Sequence, residues 1–209
     1  MSRVHVRPSA RTRKLRWRRR VITLLAYVLV VFVLAWYFES QGTTTIVFVR
    51  HADVDQPNVL ADQSLNAAGL ARAEKLADVL ENIDVVAGPD AIYVSPLRQS
   101  RETAGPLAKR TGLAIAEADP YDVVGFMRDV LSEHKREIIL IVTQADAIAP
   151  LVEELHGSKN LAAFAPREYN RLTIVTIPWF GKVKTLELPY SDDSLRLTYS
   201  TDPSLPQVE

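Results

Sequence analysis

The spacing of apolar and polar residues after position 44 predicts strands that alternate with helices. Short apolar runs with little alternation, typical of strands buried on both faces, occupy 45–50, 91–95 and 137–143. Elsewhere apolar residues recur three and four positions apart, as they do in amphipathic helices. The helices predicted in this way cover 66–81, about 100–110, 121–134 and about 148–155. Such alternation is typical of an α/β domain.

The end of the domain follows another pattern. The segments RLTIVTI and KVKTLEL predict two strands joined around Pro178 and Gly181, which would form an antiparallel hairpin at an edge of the sheet. Together with the preceding alternation, they predict a three-layer α/β/α sandwich with a mostly parallel central sheet. The tail over 191–209, interrupted by proline and serine, is expected to be surface-bound or frayed.

A continuous apolar segment precedes the domain. Residues 21–38, VITLLAYVLVVFVLAWYF, include no charge, proline or glycine. As a helix they would extend about 27 Å, close to the hydrocarbon thickness of a bilayer, and Trp36 and Tyr37 at the far end are typical of an interfacial aromatic belt. The segment predicts one N-terminal transmembrane helix. The alternatives are a buried core helix, which usually keeps a polar face, and a cleaved signal peptide, whose small-residue cleavage site AWYFESQG lacks.

Charge is distributed unevenly along the chain, although the net charge is zero. Residues 1–20 carry nine Arg or Lys and no acid, and the rest of the chain has 16 basic and 25 acidic residues. Basic residues before an apolar span favour a cytoplasmic N-terminus, so the arm implies no nucleic-acid partner. We therefore predict a single-pass membrane protein whose folded domain is extracytoplasmic. Its predicted parts are a basic cytoplasmic arm (1–20), a transmembrane signal anchor (21–38), a linker (39–43), the folded domain (44–190) and the tail (191–209).

Composition removes several kinds of chemistry. The chain has no cysteine, which excludes disulfides, thiolate nucleophiles and cysteine-based zinc sites. The phosphate-loop pattern GxxxxGK[ST], the hydrolase pattern GxSxG and a histidine pair at metal-ligand spacing are all missing from the sequence. Nothing in the sequence therefore implies a metal, a nucleotide or another cofactor.

Polar residues follow three of the predicted strands at the point where each strand ends. Arg50 and His51 follow the first, the segment 95–99 follows the second, and Gln144 follows the third. In α/β sheets the ligand crevice lies beyond these carboxyl ends. An imidazole beside a guanidinium suits phosphoryl transfer, because the neutral ring can attack phosphorus while arginine binds two phosphate oxygens. A structural histidine beside a solvated arginine is the alternative for an isolated pair.

The pair is accompanied by further motifs. The segments VRHAD, LNAAGLARAEKLADVL, IYVSPLRQSRETAGPLAKRTGL and ILIVTQADAIAPLVEELHG resemble the histidine phosphatase superfamily in order and spacing. The later EYNRLTIVTI resembles the sequence that precedes the closing strands of that family. The resemblance covers about 44–190 and implies the phosphoglycerate mutase-like fold. It also implies phosphomonoester hydrolysis through a phosphohistidine.

The resemblance assigns roles to individual residues. It implies that His51 is the nucleophile and that Arg50 binds phosphate. A second family arginine falls in SPLxR, but here the motif reads SPLRQS, which places Gln99 in the arginine position and Arg98 one residue early. A second family histidine follows the central strand, where this chain has Gln144. The predicted phosphate-binding set is Arg50, Arg98, Gln99 and Gln144.

Two glutamines in place of charged donors predict an impaired phosphatase. The alternative is a catalytically inactive pseudophosphatase that binds a phosphorylated small molecule or protein, or another envelope protein. A third possibility, a purely structural tethered domain, leaves Arg50 and His51 unexplained. For the acid that protonates the leaving group, the sequence offers three residues without a supporting motif, namely Glu117, Asp119 and Asp122. The remaining residues near the motifs are expected to be turn, cap or solvated residues, namely Asp53, Asp146, His134 and His156.

Overall fold

The computed structural model describes residues 10–39, 42–56, 62–81 and 88–191. The chain divides into two compact units, Met1–Gly42 and Thr43–Glu209. In the first unit, helix α1 covers Ala10–Glu39. Most of the predicted tail and part of the predicted linker lie outside the described residues.

Helix α1 includes the segment that was predicted to cross a membrane. Its described apolar side chains from Ile22 to Leu34 are largely exposed. Within the ranges given above, no helix is found to be both long and apolar enough for a membrane span. The predicted transmembrane anchor therefore receives no support from the structure. The side chains of Trp36 and Phe38, at the far end of the predicted span, lie outside the described residues.

The second unit contains a mixed sheet with the strand order β3-β2-β4-β1-β5-β6. The strands are β1 Thr44–Arg50, β2 Ala91–Val94, β3 Ile115–Glu117, β4 Ile138–Thr143, β5 Arg171–Ile177 and β6 Lys184–Pro189. The helices are α2 Ala67–Glu81, α3 Arg98–Thr111, α4 Val123–Glu133 and α5 Ala145–Glu154. The first four strands of the order are parallel, whereas β5 and β6 are antiparallel. The predicted α/β class and the antiparallel edge hairpin are confirmed.

Alternate residues of the central strands face two separate cores. In β1, Ile46 and Phe48 pack in a cluster with residues of α4 and α5. Val47 and Val49 pack in another cluster with residues of α2 and α3. Helices therefore cover both faces of the sheet, which explains why the central strands are apolar without alternation.

The segment after β1 is fixed by a close approach of α2. Asn66 caps this helix by accepting a hydrogen bond from the Gly69 N–H at 2.9 Å, and its own N–H donates to the Asp53 carbonyl at 3.0 Å. A Cβ atom at Gly69 would collide with the Asp53 carbonyl oxygen. Only glycine lets α2 pack this close, so Gly69 helps to position the turn that carries the first strand's polar residues.

The helices and strands differ most from the sequence-based expectation in two places. Helix α5 begins at Ala145, three residues earlier than the apolar spacing suggests, so that Gln144 directly precedes the helix. Strand β3 was not predicted, because two of its three residues are exposed and its pattern is too short to show alternation. Gly112 ends α3, with a left-handed φ of 74° and its N–H donating to the Ala108 carbonyl.

Candidate active site

The candidate site lies where three parallel strands end. Arg50 is opposite Thr143 in the register of β1 and β4, and the next residue, His51, donates its backbone N–H to the Thr143 carbonyl at 3.0 Å. On the other side of β4, Ser95 donates its backbone N–H to the Val142 carbonyl at 3.0 Å. The side chains that follow the three strands are therefore neighbours, because parallel strands end at the same edge of the sheet.

His51 is oriented by the residue that follows it. It is 7% exposed, and its Nδ1 lies 2.9 Å from the Ala52 carbonyl oxygen. A carbonyl can only accept, so this contact assigns the proton of the neutral ring to Nδ1 and leaves the lone pair on Nε2. Burial lowers the pKa of His51, the hydrogen bond to Ala52 opposes this, and the charge of Arg50 lowers it further. The ring is therefore neutral at neutral pH, the form required of a nucleophile.

Arg50 is buried under the segment before β5. Its Nη1 donates to the carbonyl oxygens of Ala165 and Glu168, both at 3.1 Å, and its Nη2 donates to that of Pro166 at 3.3 Å. The guanidinium carbon also lies 4.2 Å from the centre of the Tyr169 ring, a cation–π contact. Arg50, to which the family resemblance assigns phosphate binding, thus already contacts three backbone carbonyls and one aromatic ring.

Gln144 takes part in a buried network of neutral groups. Its Nε2 donates to Ser95 Oγ at 3.0 Å, and its Oε1 accepts from Thr143 Oγ1 at 3.0 Å. Ser95 Oγ is also 2.7 Å from Ser100 Oγ. Gln144 is only 6% exposed, so both ends of its amide are used inside the protein. The position that carries a family histidine is here a structural link between β4 and the segment after β2.

Gln99 connects the three segments that meet around His51. Its Oε1 accepts from the Gln63 backbone N–H at 3.0 Å, and its own carbonyl accepts from Thr103 Oγ1 at 2.7 Å. Thr103 Oγ1 in turn accepts from the Ala52 backbone N–H at 2.9 Å. Gln99 is 3% exposed, so it fills the arginine position with a neutral, internally bonded group.

Arg98 lies on the surface of α3, away from this buried set. Its side chain is 58% exposed, and its Nε donates to Glu102 Oε1 at 2.7 Å, one helical turn away. Its backbone N–H donates to Asp62 Oδ1 at 2.5 Å, which fixes the start of the helix. A phosphate-binding role for Arg98 stays a prediction that requires the ion pair with Glu102 to break.

The acidic residues closest to the site in sequence are already paired. Asp53 binds Arg72 through both carboxylate oxygens, at 2.5 Å to Nε and 3.3 Å to Nη2. Asp146 accepts from the Tyr121 hydroxyl at 3.2 Å and lies in the first turn of α5. Asp53 and Asp146 therefore have structural partners, and Asp146 also suits the positive end of a helix.

The three residues considered for the leaving-group acid are placed differently. Glu117 forms an ion pair with Arg101 at 2.5 Å. Asp122 caps α4 by accepting from the Gly125 N–H at 3.2 Å. Asp119 lines a cleft that Gln144 also lines. Of the three, Asp119 is the one that the fold places beside the buried network.

Two clefts of about 240 Å³ each flank the buried residues. The first is lined by Asp53, Val54, Asp55, Asn66, Arg167 and Tyr169. The second is lined by Pro96, Leu97, Asp119, Pro120, Tyr121 and Gln144. Tyr169 connects the first cleft to the site, since its ring centre is 6.0 Å from that of His51. Polar and charged residues make up most of the lining of the first cleft, whereas proline, leucine and tyrosine contribute most of the lining of the second.

The other histidines of the domain do not join the site. The sequence predicts a solvated role for His134, but the structure places its Nε2 at 2.8 Å from the Tyr93 hydroxyl and its Nδ1 at 2.6 Å from Glu137 Oε2. It is therefore a partly buried residue at the end of α4. His156 is exposed, as predicted, with a φ of 57°. In the described part of the chain, no group of three or more histidines and acids is placed to hold a metal ion.

Several residues of the site have no assigned role in the sequence analysis. Ser95 and Ser100 both lie in the SPLRQS motif, so their five-residue spacing was available as a signal. Thr103 follows one turn after Gln99 on α3. The carbonyls that bind Arg50 come from residues more than 110 positions away, and backbone groups leave no sequence signal.

Comparison with known proteins bears on the family. A model described as the histidine phosphatase superfamily (branch 1) matches residues 46–120. The uncharacterized protein Rv0525 of Mycobacterium tuberculosis is 39% identical over 82 residues, which cover 37% of this chain and 38% of that protein. The chain thus spans about 38% of the length of the curated relatives it matches.

Solved structures share the fold at low identity. Mycobacterial hydrolase 2 superposes with a TM-score of 0.55 at 18% identity, covering 75% of this chain and 96% of that one. A mycobacterial glucosyl-3-phosphoglycerate phosphatase, Rv2419c, solved with inorganic phosphate, gives 0.53 at 17% identity, covering 69% and 95%. The match over residues 46–120 and the shared fold together confirm the resemblance found in the sequence: the chain is similar to the histidine phosphatase superfamily over that range and has the fold of the solved phosphatases.

Proposed function

We propose that this chain is a phosphomonoesterase of the histidine phosphatase type, slowed by Gln99 and Gln144. The observation that carries the proposal is the orientation of His51, whose Nδ1 is held by the Ala52 carbonyl at 2.9 Å. This contact fixes the tautomer with a free Nε2, and burial keeps the ring neutral. A structural histidine has no need of an uncommitted Nε2 at the carboxyl edge of a parallel sheet.

The reaction has two displacements at phosphorus. His51 Nε2 attacks the phosphoryl group, a P–N bond forms, and the ester P–O bond breaks with its electrons leaving on the alcohol oxygen. That oxygen takes a proton from an acid, for which Asp119 is best placed because it lines the cleft beside Gln144. Water then attacks the phosphohistidine and gives a proton back to the acid, the P–N bond breaks with its electrons returning to His51 Nε2, and inorganic phosphate leaves.

The same geometry accounts for a slow reaction. Neutral amides occupy two positions where the family resemblance implies charged or chargeable donors. Loss of one transition-state donor typically lowers turnover by roughly 10²–10³, and losses within one constellation do not multiply. In addition, three of the five N–H groups of Arg50 are bound by the carbonyls of Ala165, Pro166 and Glu168, which leaves fewer of them for phosphate oxygens.

The apolar cleft indicates which leaving groups would fit. Pro96, Leu97, Pro120 and Tyr121 contribute apolar surface to a space of about 240 Å³, and Gln144 lines the same space. A small apolar or aromatic alcohol therefore suits this cleft better than a charged one. Aryl phosphates are accordingly the best first substrates.

A binding function is the second candidate, and a specific observation favours it. Both glutamine amides are satisfied within the protein, and Arg50 already has three acceptors. A pocket of this kind could hold a phosphorylated small molecule or protein weakly without turnover. The chain would then be a pseudophosphatase.

Turnover of 4-nitrophenyl phosphate by the purified full chain in detergent separates the two candidates. We expect slow hydrolysis that His51→Ala abolishes and that His156→Ala, an exposed histidine, leaves unchanged. An acid-labile phosphoryl group trapped on the protein, and missing in His51→Ala, would identify the intermediate. Activity that survives His51→Ala would contradict the mechanism. Vanadate binding without turnover would favour the pseudophosphatase.

We further propose a membrane location, with residues 1–20 in the cytoplasm and the phosphatase-like domain outside it. What supports this proposal is the uncharged stretch at 21–38, the nine basic residues before it, and the exposed apolar side chains of α1. A reporter enzyme that works only outside the cytoplasm should show activity when it is fused after Glu209. Activity of a cytoplasm-only reporter at the same position would contradict the orientation, and recovery of the chain in the fraction that carbonate washes off membranes would contradict the span.

A further inference from the structure

An exposed aromatic tip lies at the amino end of the sheet, opposite the candidate site. Strand β5 is antiparallel to β1, with Ile177 opposite Thr44 at the start of β1. The turn to β6 follows at once, with Gly181 at a φ of 116°. Trp179 and Phe180 in this turn are 62% and 86% exposed. Two adjacent large aromatics with this exposure are unusual on a water-facing turn, where polar residues and glycine prevail.

Basic side chains surround this tip. Lys182 and Lys184 are exposed on the hairpin itself. Lys135 and Arg136 lie in the turn before β4, which is brought to the same end because the Arg136 backbone N–H donates to Thr44 Oγ1 at 2.8 Å. This grouping contrasts with the chain after residue 20, where 25 acids outnumber 16 basic residues.

Four acidic residues at this end are engaged with partners. Glu137 Oε2 lies 2.6 Å from His134 Nδ1, and Glu133 Oε2 accepts from the Tyr93 hydroxyl at 3.2 Å. The Asp90 carboxylate accepts a hydrogen bond from the Ile138 N–H at 2.8 Å, and Glu153 forms an ion pair with Lys159 at 3.8 Å. Among the described residues, the hairpin lysines form no ion pair with an acidic side chain, so the tip itself is aromatic and cationic.

We propose that the hairpin tip, residues 178–184, binds the surface of a bilayer that contains anionic lipids. Aromatic side chains favour the level of the headgroups, and lysines beside them gain from a negative surface potential. A protein partner fits less well, because two aromatics bury about 150–250 Å² each, whereas a stable interface needs about 800 Å² per partner. The proposal concerns attachment of the domain and is independent of its catalytic activity.

The position of the tip in the chain agrees with this occupant. Strand β1 begins at the same end of the sheet, so the segment that precedes Thr44 joins the domain there. The predicted linker 39–43 can extend over at most about 17 Å. The tip is therefore at the end of the domain from which the chain continues to the segment 21–38, and this point rests on the membrane location proposed above.

The cysteine-free chain allows a direct test by site-specific spin labels. One nitroxide is attached at Phe180→Cys and, as a matched control, one at Val124→Cys, which is 61% exposed and follows the carboxyl end of β3. The full chain is reconstituted into vesicles of phosphatidylcholine alone or mixed with phosphatidylglycerol. We expect the label at 180 to become accessible to oxygen rather than to a water-soluble relaxant, and only with phosphatidylglycerol. The label at 124 should remain in water.

Other outcomes overturn the proposal. A label at 180 that stays in water in both vesicles would do so, and so would equal immersion of the two labels, which would indicate general adsorption of the chain. Immobilisation of the label at 180 without lipid, rising with protein concentration, would indicate a protein contact instead.

A second arm tests the lysines. Lys182→Glu with Lys184→Glu, in the Phe180→Cys background, should weaken the contact with anionic vesicles about 25-fold, since each lysine near an anionic surface contributes roughly fivefold. Lys75→Glu with Arg128→Glu changes the charge equally on exposed helix positions and serves as the control. An equal loss in both variants would contradict a contact made by the hairpin.

Discussion

The two ends of the central sheet use polar and apolar residues in opposite ways. At the carboxyl end, the polar side chains that follow the strands turn inward, and Gln99 and Gln144 are at most 6% exposed. At the amino end, Trp179 and Phe180 turn outward. Polar groups are buried where a ligand site is expected, and aromatic groups are exposed where a simple turn would suffice.

This contrast shows that a residue's type alone does not tell whether its side chain is available to a ligand or a surface. Apart from the buried Nε of Arg50, the glutamine and arginine groups described at the carboxyl end have partners within the protein, so that end is ordered before any ligand arrives. The aromatics at the amino end leave most of their surface in water, so that end is incomplete by itself. Substitutions that change one end of the sheet without the other test this difference.

The largest effect is expected from restoring charge at the carboxyl end. Gln99→Arg combined with Gln144→His should raise turnover of an aryl phosphate by roughly 10²–10³, because charged donors would then face the transferring phosphoryl oxygens. The double variant should exceed either single variant, since both groups act on the same oxygens. Steady-state kinetics and vanadate binding measure the effect, which should grow at low salt.

Two controls define what this experiment means. The same pair of substitutions with His51→Ala should remain inactive. Circular dichroism must show that the double variant is folded, because the new cations replace buried, hydrogen-bonded amides. A folded double variant that binds neither phosphate nor vanadate would show that the pocket differs from an active one by more than two residues, and the phosphatase proposal would fail.

An intermediate effect is expected at two glycines. Gly69→Ala should destabilise the domain by about 1–3 kcal/mol, because the new methyl group collides with the Asp53 carbonyl and overpacks the turn after His51. Gly105→Ala in α3 is the matched control, with no atom within 4 Å of the new Cβ, and should stabilise by about 0.5–1 kcal/mol. Urea unfolding of both variants checks the signs, and equal shifts would contradict the close approach of α2.

The smallest effect concerns Glu102, which holds Arg98 outside the pocket. Burial raises the pKa of its carboxyl, but donors from Leu65, Arg98 and Ser64 outweigh this, so that the net pKa is lowered. Glu102→Gln should therefore destabilise the domain by about 1 kcal/mol at pH 7. A carboxyl with a lowered folded-state pKa contributes stability above its unfolded pKa of about 4.3 and loses it as pH falls through the folded value.

Urea unfolding over this pH range tests the assignment. The difference between wild type and Glu102→Gln should disappear in acid. Glu117→Gln, in the exposed pair with Arg101, should show a smaller difference at every pH. A difference for Glu102→Gln that persists unchanged in acid would contradict a charge-dependent role.

The sequence predicted the sheet better than it predicted the contacts of the site. Buried parallel strands are apolar on both faces, so their number and their carboxyl ends could be read from the pattern, and with them the meeting of His51 with Gln144. Strand β3 escaped because it is short and mostly exposed. Arg98 was included in the predicted phosphate-binding set, but it lies one residue before the family's arginine position, and a shift of one residue on a helix turns a side chain by about 100°.

The partners of Arg50 and His134 show what a sequence pattern cannot contain. Arg50 is bound by backbone carbonyls, which every residue possesses, so no residue type marks them. His134 was expected in solvent because it ends a helix, but Tyr93 and Glu137 approach it from other elements. In both cases the hydrogen-bonding partner belongs to another segment of the chain, and only the folded structure brings that segment close.

The three carbonyls on Arg50 also limit how tightly an anion can bind to both Nη atoms at once. If the guanidinium can receive a ligand only when the segment before β5 moves away, the apparent dissociation constant is the intrinsic one divided by the fraction of molecules in that state. A state populated about one time in 100 would thus weaken the apparent affinity about 100-fold. Measured phosphate affinities therefore report the opening of this segment as much as the chemistry of the pocket. A substitution such as Pro166→Gly could tighten binding without touching the ligand.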